Sequence, residues 1–218
     1  MTEPLIRLAG LKFGYPGRPD VLRGLDLTVW PDSRLGLVGP NGCGKTTALS
    51  IIMGLIKPRE GRVEILGREC RREADFLDLR PQLGFVFQDA DDQLFCPTVG
   101  EDLAFGPLNL GASRAQAAEI VQETLQTLGL EGFGPRVTYD LSGGEKKLVA
   151  LGTALALKPK MLILDEPTTF LDRRSIGRLE TAVKATGLPF LIVSHDQDFL
   201  DRMVEARLII EEGQTRPL

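Results

Sequence analysis

Apolar and polar positions alternate through residues 5–9 (LIRLA) and 25–29 (LDLTV). That rhythm predicts half-buried antiparallel strands, because successive side chains of a strand point to opposite faces. The run at 161–164 (MLIL) does not alternate. A strand apolar on both faces is one covered on both sides, as in a parallel α/β sheet. Residues 35–38, 83–87 and 189–193 read as further buried strands, and 61–66 and 206–210 as two more. Helical spacing appears at 113–128, where Ala117, Ile120, Val121, Leu125 and Leu128 share a face. Ser113 is placed to cap that helix and Gly129 to stop it. Further helices are predicted over 47–53, 146–157 (ended by Pro159), 173–184 (capped near Asp172) and, briefly, 197–203. The charged stretch 68–80 predicts a short surface helix. Residues 89–107, with Pro97, Pro107 and an Asp-Asp pair, predict irregular structure, and 13–17 a turn carrying an exposed aromatic, Tyr15.

Chemistry sits where the buried strands end. The run 35–38 leads into GPNGCGKT at 39–46, which fits the phosphate-loop pattern G-x-x-x-x-G-K-[ST]. Glycines let backbone N–H groups turn toward a polyphosphate, and the helix behind the loop presents roughly half a positive charge to it. Lys45 has the reach for β- and γ-phosphates, and the Thr46 hydroxyl for Mg²⁺. Cys43, inside the loop, reads as a small filler, because phosphate binding there uses backbone. Strand 83–87 ends at Gln88, placed to ligand a metal or orient a water. Strand 161–164 runs into Asp165 and Glu166; the first suits Mg²⁺, the second a base for an attacking water. Strand 189–193 delivers His195, the only histidine of the chain. A lone histidine is usually a bland surface or core residue, but ligands of such sheets collect at the carboxyl edge of the strands, where this one falls. Tyr15 can stack on a flat ring or pack on its own strand; local sequence leaves both open.

The bulk numbers narrow the field. The chain has 218 residues and a formal net charge of -4. That length suits one domain, or a domain with a subdomain. The acidic balance argues against a nucleic-acid binder relying on a basic face. Cys43, Cys70 and Cys96 are odd in number and widely spaced, so no disulfide framework or zinc site is expected. No run approaches the ~18 apolar residues of a membrane span, and the start, Met1-Thr-Glu-Pro, shows no secretion signal.

In this order and at these separations the motifs resemble the ATP-binding subunits of ABC transporters, over residues 15–213. GPNGCGKT resembles the Walker A loop, and MLILDEP at 161–167 the Walker B strand. LSGGE at 141–145 resembles the ABC signature, usually LSGGQ, which other phosphate-loop ATPases lack. Gln88 matches the Q-loop, Leu171-Asp172 the D-loop, His195 the switch histidine, and Tyr15 the adenine-stacking aromatic. The resemblance implies an α/β fold: an ABC-type phosphate-loop core of mostly parallel sheet with helices, an antiparallel β subdomain and an inserted helical subdomain. The expected organisation is a single domain over 1–218, its core at 1–88 and 158–218 and its helical subdomain at 89–157. ATP and Mg²⁺ are the implied ligands. The resemblance gives nucleotide contacts to Tyr15, Gly39, Pro40, Asn41, Gly42, Cys43, Gly44, Lys45, Thr46 and Thr47, and metal contacts to Thr46, Gln88 and Asp165. Catalytic roles fall to Glu166, His195, Gln88 and Lys45. ABC subunits pair head to tail, so Ser142, Gly143, Gly144 and Asp172 are implied to meet the nucleotide of a second copy, or of a second ABC ATPase. A hydroxyl, backbone N–H groups and a helix N-terminus together make an anion cradle.

Within that superfamily the stretch 84–111, GFVFQDADDQLFCPTVGEDLAFGPLNLG, is most similar to energy-coupling-factor importers, including cobalt and nickel uptake systems. The implied role is the ATP-hydrolysing subunit of a membrane importer, held at the cytoplasmic face by membrane-spanning subunits, with no nucleic acid involved. Soluble ABC ATPases of repair or translation are the alternative. Repair types interpose a long coiled coil and translation types carry two cassettes, and neither is seen here. A regulatory module without turnover is opposed by the intact Glu166 and His195. Some positions depart from the family pattern. Glu145 replaces the usual Gln, Leu148 stands where Arg is common, Trp30-Pro-Asp-Ser33 replaces a Gly-Glu turn, and Phe170 stands where the D-loop carries a small residue. Many energy-coupling-factor ATPases also continue past the equivalent of Leu218 into a dimerisation segment; the expectation is a dimer that depends on ATP or the membrane partner.

Overall fold

The computed structural model describes residues 3–218; Met1 and Thr2, where the search for a secretion signal began, lie outside the described residues. In chain order the elements are β1 (Ile6–Tyr15), β2 (Arg18–Val29), β3 (Arg34–Val38), α1 (Lys45–Ile52), β4 (Glu60–Ile65), β5 (Arg68–Glu69), β6 (Leu83–Val86), α2 (Val99–Asn109), α3 (Arg114–Thr127), α4 (Gly143–Leu155), β7 (Met161–Asp165), α5 (Arg173–Ala185), β8 (Phe190–Val193), α6 (Gln197–Met203), β9 (Ala206–Glu211) and β10 (Gln214–Pro217). They form two compact units, residues 3–80 with 189–218, and residues 81–188.

The first unit holds an antiparallel sheet in the order β2-β1-β4-β5. The alternation read in the sequence sets its faces: Ile6, Leu8, Leu25, Leu27 and Val29 are buried, and Arg7 between them is exposed. The same unit holds β3 between β8 and β9, all parallel, with β10 antiparallel on β9. Phe190, Leu191, Ile192 and Val193 are all buried, as expected of a strand covered on both faces. Gly36 lets α6 approach β3: a Cβ there would lie 3.3 Å from Leu200 and Val204.

The second unit pairs β6 with β7 in parallel, Val86 opposite Leu164. Helix α4 packs on β6, and α2, α3 and α5 pack on α4. The helical stretch expected at 89–157 falls inside this unit. Four helices here carry side-chain caps: Thr98, Ser113, Ser142 and Asp172 accept from backbone N–H groups of α2, α3, α4 and α5.

Four local expectations are corrected. Residues 13–15 belong to β1, not to a turn; the turn is Pro16-Gly17, and β2 begins at Arg18. Residues 68–80 form no surface helix. Their start pairs with β4, and a 3₁₀ turn follows at Glu73–Phe76. The Asp75 carboxylate accepts from the N–H groups of Arg71 and Arg72, both at 2.9 Å, which competes with helix formation. The irregular stretch 89–107 contains most of α2, with Pro107 in its last turn. Finally, β9 continues through a tight turn into β10.

Candidate functional site

In the first unit β3 and β8 are parallel neighbours, Leu37 beside Val193. Their carboxyl ends therefore open on one edge. One delivers the phosphate loop, the other Ser194, buried, and His195, exposed. The loop needs its glycines. Gly39 has φ 146°, and a Cβ there would lie 2.5 Å from the Ile210 carbonyl oxygen. Helix α1 has no acid in its first turn and, in contrast to α2, α3, α4 and α5, no side-chain cap. Its first N–H groups are thus left for an anion. Lys45 is buried, and its Nζ donates to the carbonyls of Gly39 (2.7 Å) and Pro40 (3.1 Å). Asn41, Gly42 and Thr46 are exposed and Thr47 is buried. The Tyr15 hydroxyl lies 3.3 Å from that of Thr47, and its ring stands edge-on to Phe13. The Phe13 contact is the one expected of a tyrosine that packs on its own strand.

In the second unit β6 and β7 bring Gln88, Asp165 and Glu166 to one edge in the same way. Gln88 is exposed; Asp165 and Glu166 are buried. Glu166 adopts φ 42°, a left-handed conformation costly for a residue with a Cβ. Such strain is tolerated where a side chain has to be aimed. The turn Ser142-Gly143-Gly144 opens α4, and its geometry is crowded: a Cβ on Gly144 would lie 2.2 Å from the Ser175 hydroxyl. The Ser142 hydroxyl donates to Glu145 Oε2 at 2.6 Å and accepts from the Glu145 N–H at 3.4 Å. These bonds hold the Glu145 carboxyl below its usual range. Asp172 is committed to capping α5, accepting from the Ser175 N–H at 2.7 Å. Those bonds lower its pKa too. Phe170, beside it, has φ 64° and a ring 91% exposed.

Three side chains at these edges went unread in the sequence. Arg18 donates to the Gly42 carbonyl at 2.8 Å and lines a cavity of about 400 Å³ beside the loop. Nothing in a Gly-Arg-Pro turn signals that. Lys147 is buried with its ammonium on the carbonyls of Phe87 and Gln88. Burial pushes that ammonium down, and the carboxylates of Asp89 and Asp165 oppose the shift. Its signal was present: Lys147, Leu151 and Ala154 fall on one buried stripe of α4. Gln93 makes four hydrogen bonds, described below.

The first unit offers the Thr46 hydroxyl and the second the Gln88 amide and the Asp165 carboxylate, each a hard oxygen donor of the kind Mg²⁺ takes. Among the described residues no three His, Cys, Asp or Glu side chains form a metal cluster.

Comparison with known proteins agrees with this chemistry. The ABC transporter family model matches residues 22–169. An ABC transporter ATP-binding protein of Nitratidesulfovibrio vulgaris is 51% identical over 212 residues, 97% of this chain and 78% of that one. The energy-coupling factor transporter ATP-binding protein EcfA of Methanothermobacter thermautotrophicus is 39% identical over 214 residues, 96% of this chain and 69% of that one. Among solved structures, cbiO1 of Clostridium perfringens, part of the ABC transporter complex cbiONQ, superposes with a TM-score of 0.87 at 29% identity, covering 98% of this chain and 87% of that one.

Proposed function

The chain belongs to the ABC transporter family, as an ATP-hydrolysing ATP-binding protein, and we propose that it is the motor of a membrane importer for cobalt, nickel or another micronutrient. The carrying observation is likeness across nearly the whole chain to an energy-coupling factor subunit and to cbiO1. The alternation of strand ends and chemistry supports it: two parallel strand pairs each present their reactive residues at one edge.

In this reading the loop from Gly39 to Thr46, with Tyr15 and Thr47, holds ATP. Lys45 releases its two carbonyls to take phosphate oxygens. Glu166 accepts a proton from the attacking water, Gln88 orients that water, and His195 faces the γ-phosphate. Thr46, Gln88 and Asp165 would hold Mg²⁺, which supplies positive charge against the polyphosphate. Two copies, or this chain and a second ABC ATPase, close head to tail. Ser142, Gly143 and Gly144 of one then cradle the phosphate of the other, with Asp172 at the contact. No helix among the described residues is long and apolar enough to cross a membrane. The membrane role therefore passes through other subunits, at the cytoplasmic face. The exposed Phe95, just before α2, and Phe105 on it, edge to face with centroids 4.7 Å apart, suit docking to them.

The test is Glu166→Gln in the purified chain. It is expected to bind ATP normally, lose ~10²–10³ in turnover, and accumulate as an ATP-bound dimer by gel filtration. Turnover near the parent level removes Glu166 from the role. Cargo is read separately, by metal uptake in cells lacking the chain.

A further inference from the structure

One buried and one half-buried polar side chain join the Gln88 segment to the helix that opens with Ser142. Lys147 on α4 is 2% exposed. Its Nζ donates to the carbonyl oxygens of Phe87 (3.1 Å) and Gln88 (2.6 Å). Gln93 donates from Nε2 to the carbonyl of Phe85 (3.3 Å) in β6, and to the carbonyl of Ala150 (2.8 Å) and the hydroxyl of Thr153 (2.8 Å) in α4. Its Oε1 accepts from the Phe87 N–H at 3.0 Å. The result is two latches across one seam, between the end of β6 and successive turns of α4.

Packing alone does not account for them. Burying an ammonium is costly, and its bonds to the two carbonyls are what offset that cost. The geometry has a direction instead. Lys147 fixes the peptide of Gln88 by its carbonyl while leaving the Gln88 amide exposed. Five residues earlier the same helix begins at the Ser142 cap. We propose that Lys147 and Gln93 are positioning residues, which make the Gln88 amide and the Ser142-Gly143-Gly144 turn move as one rigid piece. The inference rests on the roles given above to Gln88 and Ser142. Its content is that these two side chains, and not the connectivity of the chain alone, hold the Gln88 peptide in register with α4.

The experiment compares Lys147→Met, Lys147→Gln and Gln88→Ala in purified protein, by ATP turnover against ATP and against Mg²⁺. Lys147→Met removes the donors at constant length; Lys147→Gln removes the charge but keeps N–H donors. Outer partners of this kind typically cost ~10–100-fold when removed. The expected result for Lys147→Met is a kcat loss of that size, KM for ATP within about threefold, and a higher Mg²⁺ half-saturation. Lys147→Gln should recover most of the loss. Should Lys147→Met not fold, Thr153→Val serves: it removes one acceptor of Gln93 at constant shape and should lower kcat without raising KM. Parent-like kcat and Mg²⁺ dependence in Lys147→Met or Thr153→Val, with Gln88→Ala slow, would overturn the latch and leave Gln88 in place. Equal losses in both Lys147 variants, tracking their thermal midpoints, would reduce it to packing. A parent-like Gln88→Ala would remove the role of Gln88 and this inference with it.

Discussion

At the head of α4 one carboxylate organises the turn that faces outward. Glu145 accepts from the Ser142 N–H (2.9 Å) and hydroxyl (2.6 Å), with Arg136 3.3 Å away. Its pKa falls from the ordinary 4.5, first through the Ser142 hydroxyl. A carboxyl lowered on folding stabilises the fold above its unfolded pKa, and that contribution is lost as pH drops through the folded one. The thermal midpoint of the native chain should therefore fall more than that of Glu145→Gln between about pH 5 and pH 3. Equal slopes would mean the cap contributes nothing. Burial, then the Asp102 carboxylate, pushes the Cys96 thiol up to about 11. From an ordinary 9.0 that makes the thiolate ~100-fold rarer at pH 8. Alkylation of Cys96 followed by mass spectrometry should be slower in the folded than the unfolded chain by at least that factor, and Asp102→Asn should speed it. Phe170 is the costliest departure from the family pattern. Its φ of 64° disfavours any residue with a Cβ. Phe170→Gly is expected to leave stability unchanged or raise it by up to about 1 kcal/mol in urea unfolding, and a clear loss would mean the ring packs in a way its exposure hides.

The elements show where sequence was enough. The strands that carry chemistry were legible because they are short unbroken apolar runs: those before the phosphate loop and His195 end at Val38 and Val193 as expected, and the one before Gln88 ends at Val86, one residue short. What failed was local competition. Helix α2 hid behind Pro97 and Pro107, although Thr98 and Glu101 spell a capping box, and the structure forms it with Glu101 Oε2 at 2.9 Å from the Thr98 hydroxyl. Pro107 sits in the last turn, where it has no N–H to donate to the Leu103 carbonyl, and the helix ends two residues later. The hairpin into β10 hid because its strand is polar and exposed; the sign was Glu212-Gly213, both at positive φ, a turn that suits hairpins. Gln93 was unreadable for another reason, and for Lys147 the stripe on α4 signals burial but not partners. Their meaning lies in carbonyls supplied by other elements, and no spacing in one segment reveals that. If the Thr98 cap holds α2, Thr98→Ala should lower stability by ~1 kcal/mol in denaturant unfolding. No change would assign α2 to tertiary packing alone.

For the molecule as a whole the strongest expectation concerns concentration. A catalytic surface split between copies gives specific activity that rises with protein concentration and then saturates, whereas a self-sufficient monomer gives a flat line. A dilution series of ATP turnover distinguishes the two, and Ser142→Ala should depress the plateau without changing nucleotide affinity at the dilute end. One feature of the resting loop bears on all such measurements. The Lys45 ammonium donates to the carbonyl oxygens of Gly39 and Pro40. A triphosphate taken up by that lysine exchanges one set of oxygens for another, so calorimetry should record a smaller heat of association than the number of new contacts suggests.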